Sequence, residues 1–141
     1  MNWKRYAITV LVVLIAAHIT GFVIHAIILA DDYKALVSTK LYSSPEQFQS
    51  RAAFLTVAYL AFAVGAVWIY AKGVEAGPWI PQGVRFGIAV WLVMAVPAYV
   101  IEYAVQPAPG MLTAKQLFWD FLNKILLGVV TAALYRRPAR P

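Results

Sequence analysis

Residues 7–30, AITVLVVLIAAHITGFVIHAIILA, run without one formal charge. A helix of that length crosses a hydrocarbon core of about 30 Å, which takes roughly 20 residues at 1.5 Å each. Lipid offers no partner to a free backbone N–H or C=O, so the segment must be helical. The run is far longer than the roughly 7–15 apolar residues of a signal peptide, and no A-x-A-like cleavage site follows it. It is expected to remain as a membrane span.

Three further segments behave alike. Residues 52–71 are apolar, residues 86–105 are interrupted by Glu102, and residues 116–135 are more polar. The chain is 62% hydrophobic and 13% charged with a mean hydropathy of +0.71, whereas soluble domains are about half apolar and a quarter charged. Its 141 residues suffice for one domain. The expected fold is therefore all-α: a single-domain, integral membrane four-helix bundle. There is no cysteine, which excludes disulfides, thiolate metal sites and thiol catalysis.

The connections carry start signals. In the outer loop 31–51, Ser44-Pro45-Glu46-Gln47 reads as a capping box with proline at the first helical position, so helix two should start near residue 45. Thr113 with Gln116 gives the same signal for helix four. The stretch KGVEAGPWIPQGVR reads as a tight irregular turn.

Direction follows from the basic residues. Lys4, Arg5, Lys72, Arg85, Arg136, Arg137 and Arg140 fall at the end that carries the termini, and Lys34, Lys40, Arg51 and Lys115 at the other. The surplus predicts both termini in the cytoplasm. The net charge of +6 is thus spread over helix ends as a topology signal, which argues against nucleic-acid binding. Trp3, Tyr6, Trp68, Tyr70, Trp79 and Tyr135 fit one interfacial belt, and Tyr33, Tyr42, Tyr103 and Trp119 the other.

The polar residues inside the spans are the candidate site. Seven residues at 100° bring His25 within about 20° of His18, about 10 Å along the same helix, with Gly21 between them. On helix four, Asp120, Asn123 and Lys124 share one stripe, and Asp120 can pair with Lys124. Ionisable groups facing lipid are costly, so this stripe and Glu102 should face the bundle. Pro97, one turn before Glu102, should kink helix three. Counting residues from each span's centre brings His25, Tyr59, Glu102 and Asp120 to a similar depth. The expectation is a polar pocket in the outer half of the bundle formed by His18, His25, Tyr59, Tyr99, Glu102, Tyr103, Asp120, Asn123 and Lys124.

Several chemistries fit such a group. His25, Glu102 and Asp120 are ligand types for zinc or non-haem iron, although no H-x-x-x-H or E-x-x-H spacing joins them. His18 or His25 would hold haem b only with a symmetric partner chain or with Met94 or Met111. Intramembrane ionisable groups also mark paths for protons or small polar solutes. The same groups equally serve as a network tying the helices together. No nucleophile–base pair or phosphate loop appears, and Gly83 and Gly87 do not follow a strand as a dinucleotide motif requires. The function expected is a non-catalytic accessory or assembly subunit, or a small-ligand-binding module. A carrier or channel-like protein and a b-type haem protein are the alternatives. The bilayer is the first partner, with a larger membrane complex or a homo-oligomer beyond it.

The segments HAIILADDYKAL, GPWIPQGVRFG and EYAVQPAPG, followed by the polar start of helix four, resemble small uncharacterised four-span proteins of the bacterial inner membrane. The resemblance implies that membrane as the location and no particular activity.

Overall fold

A computed structural model describes residues 1–136. Arg137 and Arg140, counted above among the basic residues, lie outside the described residues. The chain is all-α, with no strand among the described residues. Four of its helical stretches, Trp3–Ile28, Ala53–Gly73, Trp79–Val105 and Gly110–Leu134, are long and apolar enough to cross a membrane, so this is a multi-pass membrane protein.

The first span is α1 (Trp3–Phe22) extended by a π-helical turn, Val23–Ile28. Asn2 caps α1 by accepting from the Arg5 N–H at 3.0 Å. Two short helices follow in the loop, α2 (Ala30–Val37) and α3 (Pro45–Arg51). The capping box forms as expected: the Gln47 N–H donates to Ser44 Oγ, and the Ser44 N–H donates to Gln47 Oε1 at 3.2 Å. The second span is α4 (Ala53–Gly73).

The third span begins earlier than expected. Helix α5 (Trp79–Val90) starts on Pro78, a full seven residues ahead of residue 86, and leads through a π-helical turn (Trp91–Ala95) into α6 (Val96–Val105). Pro81 sits in the first turn of α5, where no intrahelical partner awaits its N–H, so it does not break the helix. The loop is thereby confined to residues 74–78, where Gly77 takes a φ of 149°. Pro97 falls in the first turn of α6, just after the π turn, which absorbs its missing backbone donor without ending the span.

The fourth span is α7 (Gly110–Leu134). It starts on Pro109, one turn ahead of Thr113, which is a buried residue inside the helix and not its cap. Helix α7 is the centre of the bundle. It touches α1, α4, α5 and α6, while α4 rests mainly on α1. The order across the bundle is α4, α1, α7, then α5 with α6.

The closest approach is between α5 and α7, and it is made by glycines. A Cβ on Gly83 would stand 2.7 Å from Val129 Cα, one on Gly87 2.6 Å from Ile125 Cα, and one on Gly128 2.9 Å from Gly87 Cα. Gly83-Val-Arg-Phe-Gly87 is a G-x-x-x-G pattern. Helices in lipid associate by close van der Waals packing, which small residues permit.

In the half nearer the termini the interior is apolar. Val10, Val13, Ala63 and Val67 form one cluster, against which Tyr6, Leu14, Phe62 and Val130 pack. Tyr70, Val74, Ala132 and Tyr135 form a second cluster below it. The outward side chains, such as Ile19, Phe22, Val57 and Val93, are at least 60% exposed in the isolated chain, as lipid contact requires. The two ends of the chain meet: the Asn2 N–H donates to the Tyr135 hydroxyl, and Arg5 Nη1 to the Arg136 carbonyl. Trp3, Tyr6 and Trp68 cluster there with ring centroids 5.9–6.2 Å apart, and Lys72 lies over Trp68. This is the composition of an interfacial belt.

Candidate functional site

The most polar span is also the most enclosed. On α7, Asp120, Asn123 and Lys124 are each more than nine-tenths buried, and their i, i+3 and i+4 spacing aligns them on one face. Lys124 Nζ donates to Asp120 Oδ1 at 2.7 Å, and Asn123 Nδ2 reaches the same oxygen at 3.4 Å. Lys124 also lies over the Phe62 ring of α4, 5.6 Å from its centroid. The amide oxygen of Asn123 is buried without a hydrogen-bond partner among the described residues. An acceptor left bare in this way costs about 1–3 kcal/mol unless a donor is supplied.

One turn toward the loops, Gln116 continues the stripe. It donates to the Tyr33 hydroxyl at 3.2 Å, which in turn lies 2.7 Å from His25 Nδ1. The bonding is satisfied when the phenol donates to an unprotonated Nδ1, which leaves the imidazole neutral with its proton on Nε2. Burial pushes the Tyr33 phenol up to about 12, and the carboxylates of Glu102, Asp120 and Asp32 add to the push, while the Gln116 hydrogen bond opposes it. Tyr33 packs edge-on against Tyr42 at 5.0 Å. The Tyr42 hydroxyl donates to Glu102 Oε1 at 2.8 Å, which ties the α2–α3 loop to α6. Burial first, and then that bond, raise the Tyr42 phenol as well. At the rim Lys115 holds both carboxylate oxygens of Asp32, at 2.8 and 2.9 Å.

His18 and His25 do not share neighbours, although α-helical geometry would put them on one face. His25 itself sits within the π turn Val23–Ile28, whose i→i+5 bonding takes it off the α-helical register of His18. His18 turns to α4 instead. Its Nδ1–H donates to the Leu14 carbonyl at 2.9 Å, its Nε2 accepts from the Thr56 hydroxyl at 3.2 Å, and its ring meets the edge of Tyr59 at 4.7 Å. Both ring nitrogens are thus engaged. Gly21 makes room for Tyr59: a Cβ there would overlap the phenol.

Of the residues expected in the pocket, His25, Glu102, Asp120, Asn123 and Lys124 fall in or beside this interior network. Tyr59 and Tyr99 are partly buried within electrostatic reach of Asp120. His18 stands apart on the α4 side. Tyr103 is 52% exposed and lies against Gly110, outside the network. His25, Glu102 and Asp120 are not drawn together: among the described residues no three His, Asp or Glu side chains are grouped to hold a metal ion.

Sequence reasoning missed Tyr33, Tyr42, Gln116 and Thr56. The signal for Gln116 was present, since it lies four residues before Asp120 on the same stripe. Tyr33 and Tyr42 read as belt aromatics in the sequence, because only the folded loop turns them inward. Two clefts lie at the opposite end: one of about 240 Å³ beside Asn2, Lys4 and Arg5, and one of about 190 Å³ between Tyr70, Trp79 and Arg136. The chain matches no protein-family model, no curated protein and no solved structure.

Proposed function

We propose that this protein is a non-catalytic accessory subunit of the bacterial inner membrane, with its termini in the cytoplasm. Its loop-side half forms a blind polar chamber for a small hydrogen-bonding solute. One observation carries the reading. The polar residues descend in steps, from the Tyr42–Glu102 pair and the Gln116–Tyr33–His25 group nearer the loops to the Asp120–Asn123–Lys124 group one turn deeper, and below them lies the apolar cluster of Val10, Val13, Ala63 and Val67. A conducting path needs polar groups or water across the whole span. A chamber that stops halfway suits a binding role. The bare Asn123 oxygen at its floor calls for a donor, such as water or an N–H or O–H of the solute.

The absence of cysteine makes the test clean, because every introduced thiol is the only one present. Gln116→Cys should react with a small cationic thiosulfonate added from the loop side only, whereas Val13→Cys should resist it from both sides. Proteoliposomes holding a pH-sensitive dye should leak protons no faster than protein-free vesicles. A leak that Asp120→Asn abolishes would mark a proton carrier and overturn the blind-chamber reading. A fluorescent protein fused after residue 141 should fold and glow in the cytoplasm; a dark, exported fusion would reverse the orientation.

A further inference from the structure

We infer that the cleft where α4 ends and α5 begins binds a phospholipid headgroup that carries both a phosphate and a primary ammonium. The site is independent of the loop-side chamber. It lies at the other end of the bundle, beside the belt of Trp3, Trp68 and Lys72, where headgroups stand.

The cleft, of about 190 Å³, is lined by Tyr70, Val74, Glu75, Trp79, Gln82 and Arg136. Tyr70 is only 4% exposed and packs its ring on Phe86 at 5.1 Å, yet its hydroxyl has no hydrogen-bond partner among the described residues. A buried phenol of this kind is a donor waiting for an acceptor. Arg136 is held over Trp79, its Cζ 4.4 Å from the ring centroid, with Nε donating to the Ala133 carbonyl. Its other guanidinium N–H groups supply charge-assisted donors of the kind that phosphate takes. Helix α5 begins here on Pro78 with no side chain capping its first N–H groups, so the positive end of its dipole adds to the field.

A purely anionic ligand would leave one feature of the cleft unused. Glu75 belongs to the same wall, and Gln82 fixes its backbone at both ends: Gln82 Oε1 accepts from the Glu75 N–H at 3.1 Å, and Gln82 Nε2 donates to the Glu75 carbonyl at 3.2 Å. An anion and a cation on one cleft match a zwitterion. The phosphate would take Tyr70 and Arg136, and the ammonium Glu75. A quaternary ammonium has no N–H to give Glu75, and a glycerol headgroup has no cation at all. The exposed Ile69 and Ile80 beside the cleft leave the acyl chains free to run down the lipid face.

The test uses the full chain purified in mild detergent, with lipid binding followed by native mass spectrometry. Phosphatidylethanolamine should bind one per chain, about tenfold or more tighter than the choline or glycerol lipid, as a charge-assisted hydrogen bond implies. Glu75→Gln, an exposed position, should erase that preference. Tyr70→Phe keeps the ring on Phe86 and should weaken all three lipids alike. The inference is overturned if the three headgroups bind equally, or if the preference survives Glu75→Gln. It is overturned too if soluble phosphoethanolamine or inorganic phosphate displaces the lipid at equal concentration, for the cleft would then serve a free solute.

Discussion

Lys124 Nζ lies 2.7 Å from Asp120 Oδ1 one turn away on α7, with each side chain only about a tenth exposed. The two charges compensate each other in a medium that would penalise either alone. Removing one partner of such a pair typically costs about 3–5 kcal/mol, whereas replacing both by apolar groups is often neutral. Lys124→Met should therefore strongly lower the detergent-denaturation midpoint. Lys124→Met combined with Asp120→Leu should recover most of the loss. A double variant no more stable than the single one would show that the pair does more than neutralise itself.

The glycine contact between α5 and α7 gives a second prediction. Gly128→Val puts two methyls where Gly87 Cα already stands within 2.9 Å of a Cβ position. Over-packing of this sort costs about 1–3 kcal/mol or more, because backbones must separate. Gly65→Ala meets nothing within 4 Å, and should be neutral or raise stability by about 0.5–1 kcal/mol through backbone entropy. Thermal unfolding of both variants in one detergent decides the matter, and equal midpoints would sink the packing argument.

Tyr33 gives the pH dependence. Its phenol is pushed up from 10 to about 12 in the folded protein, so below pH 10 it is protonated in folded and unfolded chains alike. Between pH 10 and 12 the unfolded chain ionises first and is favoured. The stability linked to this phenol is fully present below pH 10 and lost as the pH rises through 12. Tyr33→Phe should lose less stability over that window than the wild type. Phenolate absorbance should also show one late-titrating tyrosine disappear in the variant. An unchanged alkaline titration would refute this placement of Tyr33.

Much of this architecture is legible in the chain itself, for reasons particular to lipid. The 24 uncharged residues from 7 to 30 have one viable conformation, and the stripe of Asp120, Asn123 and Lys124 has one affordable direction. The Ser44–Gln47 box is local chemistry, so it reads correctly without tertiary knowledge. What escaped depends on neighbours distant in sequence. Gly83 looks like a turn residue beside two prolines and Gly87 like one more residue of a span, and only the backbone of α7 reveals them as a packing seam. The π turn at Val23–Ile28 has no signature in a run of apolar residues, yet it decides that His18 and His25 part company. Tyr103 shows the reverse: it lies next to Glu102 in sequence, and the helix sends it outward to 52% exposure, as a belt aromatic stands.

Tyr42 and Glu102 provide the last prediction. Their 2.8 Å hydrogen bond spans 60 residues and is the tie between the α2–α3 loop and α6. The loop segment it holds contains Lys40, which adopts a φ of 60°, a conformation uncommon for a side chain of that size. Tyr42→Phe removes the donor and leaves the carboxylate without that bond, at about 1–3 kcal/mol for the contact. The loop should then open more often, and trypsin, added from the loop side, should cut after Lys40 several times faster. Glu102→Gln retains an acceptor oxygen and should stay close to the wild-type rate, whereas Glu102→Ala should match Tyr42→Phe. If the alanine and glutamine variants are cut alike, the hydrogen bond does not anchor the loop, and the outer wall of the chamber must be held by the Lys115–Asp32 pair instead.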